Sequence, residues 1–153
     1  IENYIGIDFN EHCINKNKAK WRKFCFEKLD LTKTETFKKL LTLKPNFILV
    51  HGAIHHLDNE TVKKIMDLIK NYFPDCIFIS VDPVKYENKT LNKLMILLDR
   101  GKFIRSPKSY EEIIGNFNHL ITDDFYKMSF KYIFHYNNID IQKLYYDWKK
   151  LTK

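Results

Sequence analysis

The chain has 153 residues, 44% of them hydrophobic and 15% aromatic, which is enough for one substantial core and nothing that suggests a second. Its net charge of +7 comes mostly from lysines scattered along helical stretches, the pattern of a solvated basic surface rather than a polyanion groove. No apolar run approaches the roughly 20 residues of a membrane-spanning helix, and the start lacks the charged-then-apolar pattern of a secretory signal, so a soluble cytoplasmic protein is expected, with no membrane partner.

Tyr4 to Ile7 reads as a short buried strand ending at Asp8. It begins with no lead-in, so the chain looks cut from something longer. Asn10 to about Trp21 carries helix-compatible polar residues with Ile14 and Ala19 inward, and Phe24 to Leu29 is a second strand, ending at Asp30. Thr34 to Leu43 places Phe37, Leu40 and Leu41 at helical spacing, and Pro45 stops it. Phe47 to Val50 is a third buried strand; it breaks into Gly52, Ala53 and the pair His55 and His56. Asp58 caps a helix from about Glu60 to Tyr72, whose Val62, Ile65, Met66 and Ile69 form one apolar stripe. Cys76 to Val81 is a fourth strand, closed by Asp82 and Pro83. Strands alternating with helices predict a mostly parallel α/β sheet covered on both faces.

Beyond Pro83 the rhythm changes. Thr90 to Leu98 is a helix, and Ser106 and Pro107 start a short one through Ile114. Phe117 to Ile121 and Phe130 to Tyr136 are β-rich and too close for a crossover helix, which predicts a C-terminal antiparallel β-hairpin. Ile139 to Lys153 reads as a terminal helix docked by Leu144, Tyr145 and Trp148; its aromatic and basic residues have a second reading as a nucleic-acid contact, which a docking face displaces. The expectation is one domain, with residues 1–138 as core and 139–153 as helical extension. Three cysteines (Cys13, Cys25, Cys76) without CxxC spacing fit free thiols better than disulfides or a zinc site.

In open α/β sheets, ligands bind outside the carboxyl ends of the parallel strands. The residues at those ends, in order, are Asp8, then Leu29-Asp30-Leu31, then Gly52-Ala53-Ile54-His55-His56-Leu57, then Asp82-Pro83, followed by the hairpin. This series, running from Tyr4 to about Tyr136, resembles a class I S-adenosylmethionine-dependent methyltransferase of Rossmann-like fold. The segment from Leu98 to Ser106, LDRGKFIRS, with Tyr110 behind it, is similar to a bacterial small-molecule subgroup. Members of the family open with a strand and a GxGxG turn, whereas Gly6, Gly52, Gly101 and Gly115 are isolated here. Because Ile7 and Asp8 match the family's second strand, the resemblance implies an N-terminally truncated domain whose Gly-rich strand lies upstream of Ile1.

The resemblance implies S-adenosylmethionine as cofactor. Asp8 would accept the ribose hydroxyls, with Phe9 against the adenine; the alternative for Asp8 is a helix cap. Asp30 and the Leu31 amide would read the adenine edge, and Asp30 is otherwise a turn residue. His51, Gly52 and Ala53 would line the methionine portion, where a residue without Cβ admits a close ligand; His51 is otherwise a packed strand end. His55 and His56 have three readings: general base or hydrogen-bond donor in the acceptor pocket, structural residues fixing the loop, or metal ligands with His51 and Asp58. No metal is the expectation adopted. Arg100, Arg105 and Tyr110 are candidates to clamp a carboxylate or phosphate of a small-molecule acceptor, with Asp82 or Tyr86 nearby; Asp99 and Arg100 pairing locally is the alternative. Two further alternatives stand beside the small-molecule enzyme: a non-catalytic Rossmann-like module that binds a nucleotide or a protein, and an RNA methyltransferase, which needs a coherent basic face.

Overall fold

The computed structural model describes residues 3–85, 96–99, 101–115, 118–122, 132–137, 140 and 143. The chain forms two compact units, Ile1–Lys44 and Pro45–Lys153.

The first unit is a βαβα run: β1 (Ile5–Asp8), α1 (Glu11–Lys20), β2 (Cys25–Lys28) and α2 (Thr34–Leu43). β1 and β2 pair in parallel, Asp8 opposite Lys28, so the two strands deliver their loops to the same end. Asn10 starts α1, its side chain accepting from the amides of His12 and Cys13 at 3.0 and 3.4 Å, and Lys18 and Lys20 lie in the last turn, where they complement the helix dipole. Ile14, Phe26 and Phe37 are the buried apolar residues of this unit. Ala19, expected inward, is exposed, and β1, expected to be buried, leaves Ile5 exposed. α2 spans the expected residues and ends at Lys44 in the left-handed conformation (φ 46°), with Pro45 blocking continuation.

The second unit holds β3 (Phe47–His51), a 3-10 turn (Ile54–His56), α3 (Asn59–Tyr72), β4 (Ile77–Pro83), α4 (Pro107–Ile114), β5 (Asn118–Thr122) and β6 (Tyr132–Asn137). Its sheet has the order β3-β4-β6-β5, parallel between β3 and β4 and antiparallel thereafter. β5 and β6 pair antiparallel from Asn118 opposite Tyr136 to Thr122 opposite Tyr132, and their connection lies outside the described residues. β4 is central and buried from Phe78 onward; α3 contributes Val62, Ile65, Met66 and Ile69 to the core, and α3 packs against α4. Asp58 caps α3 through the Thr61 amide at 2.8 Å, and Ser106 caps α4.

Two expectations are corrected here. β4 does not close at Val81: Asp82 and Pro83 remain in the strand because β6 pairs with them, Pro83 opposite Tyr132. β3 is not a buried strand. With β4 as its neighbour in the sheet order it is an edge, and alternate residues Phe47 and Leu49 are 46% and 55% exposed while Val50 is buried. Among the described residues, moreover, the strands form two sheets of two and four strands rather than one. No helix among the described residues is long and apolar enough to cross a membrane. The expected helix Thr90 to Leu98 is described only at residues 96–98, which are helical, and the expected terminal helix lies outside the described residues.

Candidate functional site

In the first unit the ends of β1 and β2 present two carboxylates. Asp8 Oδ1 accepts from the Asn10 amide at 2.8 Å, a turn two residues long that leaves Oδ2 without a protein partner among the described residues. Phe9 is 74% exposed beside it, an aromatic face with nothing of its own core to cover. Asp30 Oδ1 accepts from the Thr32 amide at 2.9 Å and its hydroxyl at 2.7 Å, while the Asp30 carbonyl accepts from Thr36 Oγ1 at 2.6 Å. Those two bonds to Oδ1 hold the Asp30 carboxyl below the usual carboxylate range. Leu31 follows, half-buried.

In the second unit the β3 and β4 ends are adjacent, since His51 lies opposite Val81 and the Gly52 amide donates to the Val81 carbonyl at 2.8 Å. Gly52 has φ 61°, and a Cβ there would meet only the edge of the His55 ring at 3.8 Å. Its left-handed backbone therefore reflects the turn, and among the described residues the space beside it is open. His51 is exposed and Ala53 half-buried.

The two adjacent histidines part company in the 3-10 turn. His55 is 5% exposed and His56 is exposed. Asp82 Oδ1 accepts from the His55 amide at 3.1 Å and from Nδ1 at 2.9 Å, which places the proton on Nδ1. On the other side, Nε2 is 3.4 Å from Asp99 Oδ1, which also accepts from the Gly101 amide at 2.6 Å. Gly101 abuts the Cδ2–Nε2 edge of this ring, and a Cβ there would overlap His55 Cδ2. The Phe103 amide closes the arrangement by donating to the His55 carbonyl at 3.0 Å. Asp82 is fully buried; burial raises its carboxyl above the usual range, against the pull of the His55 hydrogen bonds, and Oδ2 has no hydrogen-bond partner among the described residues. The His56 ring lies on that of His55 at 4.0 Å between centroids. Desolvation there, and then the neighbouring imidazole, hold His56 below the ordinary histidine value, with Asp99 and Asp82 pulling the other way.

The expected acceptor clamp is corrected by burial. Arg105 is 6% exposed, and its guanidinium donates to the carbonyls of Ile54 (3.2 Å), Phe103 (2.9 Å) and Leu57 (2.5 Å) and, through Nε, to Asn59 Oδ1 (2.9 Å). Four of its five N–H groups are thus spent within the protein, two of them on the Ile54 and Leu57 carbonyls that flank the histidines. Tyr110 is fully buried and donates to the Pro83 carbonyl at 3.0 Å, its ring 5.7 Å from the Arg105 guanidinium; burial pushes its phenol up. Asp82 likewise faces His55 rather than an opening. Arg100 and Tyr86 lie outside the described residues. Among the described residues no group of three His, Cys, Asp or Glu side chains is placed to hold a metal ion, so the metal reading of His51, His55, His56 and Asp58 has no geometry behind it. Asp99 and Gly101 were not among the site residues expected from sequence; the Asp-x-Gly spacing of a tight turn was the signal available for them.

No protein-family sequence profile matches the chain. Over 74% of its length the chain is 25% identical to the ATP-binding protein Uup of Buchnera aphidicola subsp. Acyrthosiphon pisum (strain APS), of which the match covers 22%. The chain thus spans about a fifth of the length of that curated relative. Among solved structures, the methyltransferase domain of a bacterial CtHen1-CN is similar at 13% identity and a TM-score of 0.58, covering 88% of this chain and 78% of that one. A DhpI–SAM–HEP complex is similar at 12% identity and a TM-score of 0.56, covering 88% and 68%. A pericyclic reaction enzyme is similar at 10% identity and a TM-score of 0.60, covering 88% and 36%. The chain has the α/β fold of these proteins. Identities this low establish fold, and that fold carries more than one chemistry.

Proposed function

We propose that the chain is the core of an S-adenosylmethionine-dependent methyltransferase that acts on a small-molecule acceptor. The observation that carries this reading lies in the first unit, at the carboxyl end of β1: the Asp8 oxygen unused among the described residues and the exposed Phe9 ring that follows it. They occur in a fold that one solved neighbour shows in complex with S-adenosylmethionine. A free carboxylate oxygen beside an exposed ring suits a nucleoside. In this reading Asp8 accepts the ribose hydroxyls, Phe9 covers the adenine, and Asp30 and the Leu31 amide read its edge.

When bound, the cofactor supplies a methyl group made electrophilic by its sulfonium; the chain's own contribution is proximity, in-line orientation and exclusion of water. The test is calorimetric titration of S-adenosylmethionine and S-adenosylhomocysteine into this chain and into a version extended upstream, with Asp8→Ala as control. Binding lost in Asp8→Ala supports the reading. No binding by either length overturns it and favours a non-catalytic module, while RNA affinity that falls steeply with salt redirects the acceptor to RNA.

A further inference from the structure

The two histidines differ in what their rings are free to do. Both sides of the His55 ring are taken: Nδ1 by Asp82 at 2.9 Å, Nε2 by Asp99 at 3.4 Å, and the edge by Gly101. Its amide and carbonyl are also engaged, by Asp82 and Phe103. His56 has its ring against His55 at 4.0 Å, is exposed, and has no hydrogen-bond partner for its ring nitrogens among the described residues. The turn that carries both is fixed from below by Arg105, which holds the carbonyls of Ile54 and Leu57 on either side of the pair. One imidazole is thus a fixed platform and its neighbour a directed, accessible one.

We propose that His56 is the proton-accepting group of this site, and that Asp82, His55 and Asp99 are its positioning residues. This assignment rests on the methyltransferase reading for its chemistry. In that chemistry the lone pair of an acceptor O–H or N–H forms the bond to the methyl carbon as the carbon–sulfur bond breaks toward sulfur. The acceptor's proton passes to a free ring nitrogen of His56, which becomes an imidazolium and later releases it to water. A base must be unprotonated at working pH, and partial desolvation against His55 shifts His56 toward that form. The charged and titratable groups around the pair are Asp82 from β4, Asp99 from the following loop, and Arg105 and Tyr110 beneath.

The experiment is an NMR titration of the imidazole nitrogens in the whole chain, together with diethyl pyrocarbonate modification mapped by mass spectrometry. His56 is expected to titrate below an ordinary histidine and to be modified about tenfold faster than His55, whose ring is buried. Asp99→Asn removes a charge that favours the imidazolium and lowers the His56 midpoint; His55→Gln removes the platform and raises it, each by about two- to threefold in proton affinity. Asp99 is only half-buried, so its variant reports even where His55→Gln fails to fold. His56→Gln keeps S-adenosylhomocysteine affinity within about twofold of the parent, as expected of a group that acts on the acceptor rather than the cofactor. A His56 midpoint unmoved by Asp99→Asn, or His55 modified as fast as His56, overturns the assignment. Failure of both proteins to bind cofactor, with these midpoints as expected, overturns the methyltransferase reading instead.

Discussion

The loops after β1 and β2 and the loop after β3 all follow strand ends and present polar side chains, and the two groups are held in opposite ways. Around Asp8 and Asp30 the bonds are local: Asp8 to Asn10 and Asp30 to Thr32, each two residues apart. Around His55 they are distant, with Asp82 27 residues away and Arg105 reaching back 51 residues to Ile54 and 48 to Leu57. Local turns leave the carboxylates of the first unit outward and replaceable. Long-range clamps make the histidine turn of the second a part of its core.

Substitutions test this contrast directly. The largest effect is expected from Arg105→Met, which leaves three carbonyls without their donor and costs about 3 kcal/mol or more. Urea denaturation followed by circular dichroism measures it, and a loss under about 1 kcal/mol would show that the clamp is ornamental. Next comes Gly101→Ala, whose methyl would overlap the His55 ring; overpacking of this kind costs about 2 kcal/mol and, unlike the arginine change, should also perturb the His56 NMR signals. In the locally held unit, Asn10→Ala removes the cap of α1 and is expected to cost about 1 kcal/mol without moving either histidine signal. The smallest effect is Asp30→Asn. Because Thr32 holds the Asp30 carboxyl below its usual 3.8, its contribution is present above that value and is lost as pH falls through the lower folded one; the variant should lose that small contribution at neutral pH, converge on the parent in acid and so flatten the acid limb of stability below about pH 4. Denaturation midpoints measured across that range decide it.

The elements themselves were legible because their signals are local. α2 starts and stops at the expected residues, α3 begins at the Asp58 cap with its stripe of Val62, Ile65, Met66 and Ile69 buried, and α4 begins at Ser106 and Pro107. Errors fell where a neighbouring strand decides the outcome. β4 runs on through Pro83 because β6 pairs there, and Phe47 and Leu49 are exposed because β3 is an edge; an apolar tetrapeptide reads the same in either position.

By itself, then, the sequence determined the alternation of strands and helices, their caps, and which polar residues stand at the strand ends, since propensity, periodicity and capping act over a few residues. The tertiary structure decided what those residues do. Arg105 reads as an anion clamp until three backbone carbonyls are seen to take its donors, and His55 and His56 read as equivalent until Asp82, Asp99 and Gly101 enclose one and leave the other open. A hydrogen bond to a backbone carbonyl leaves no mark on the identity of the residue that offers it, and that is why these roles appear only when the chain is folded.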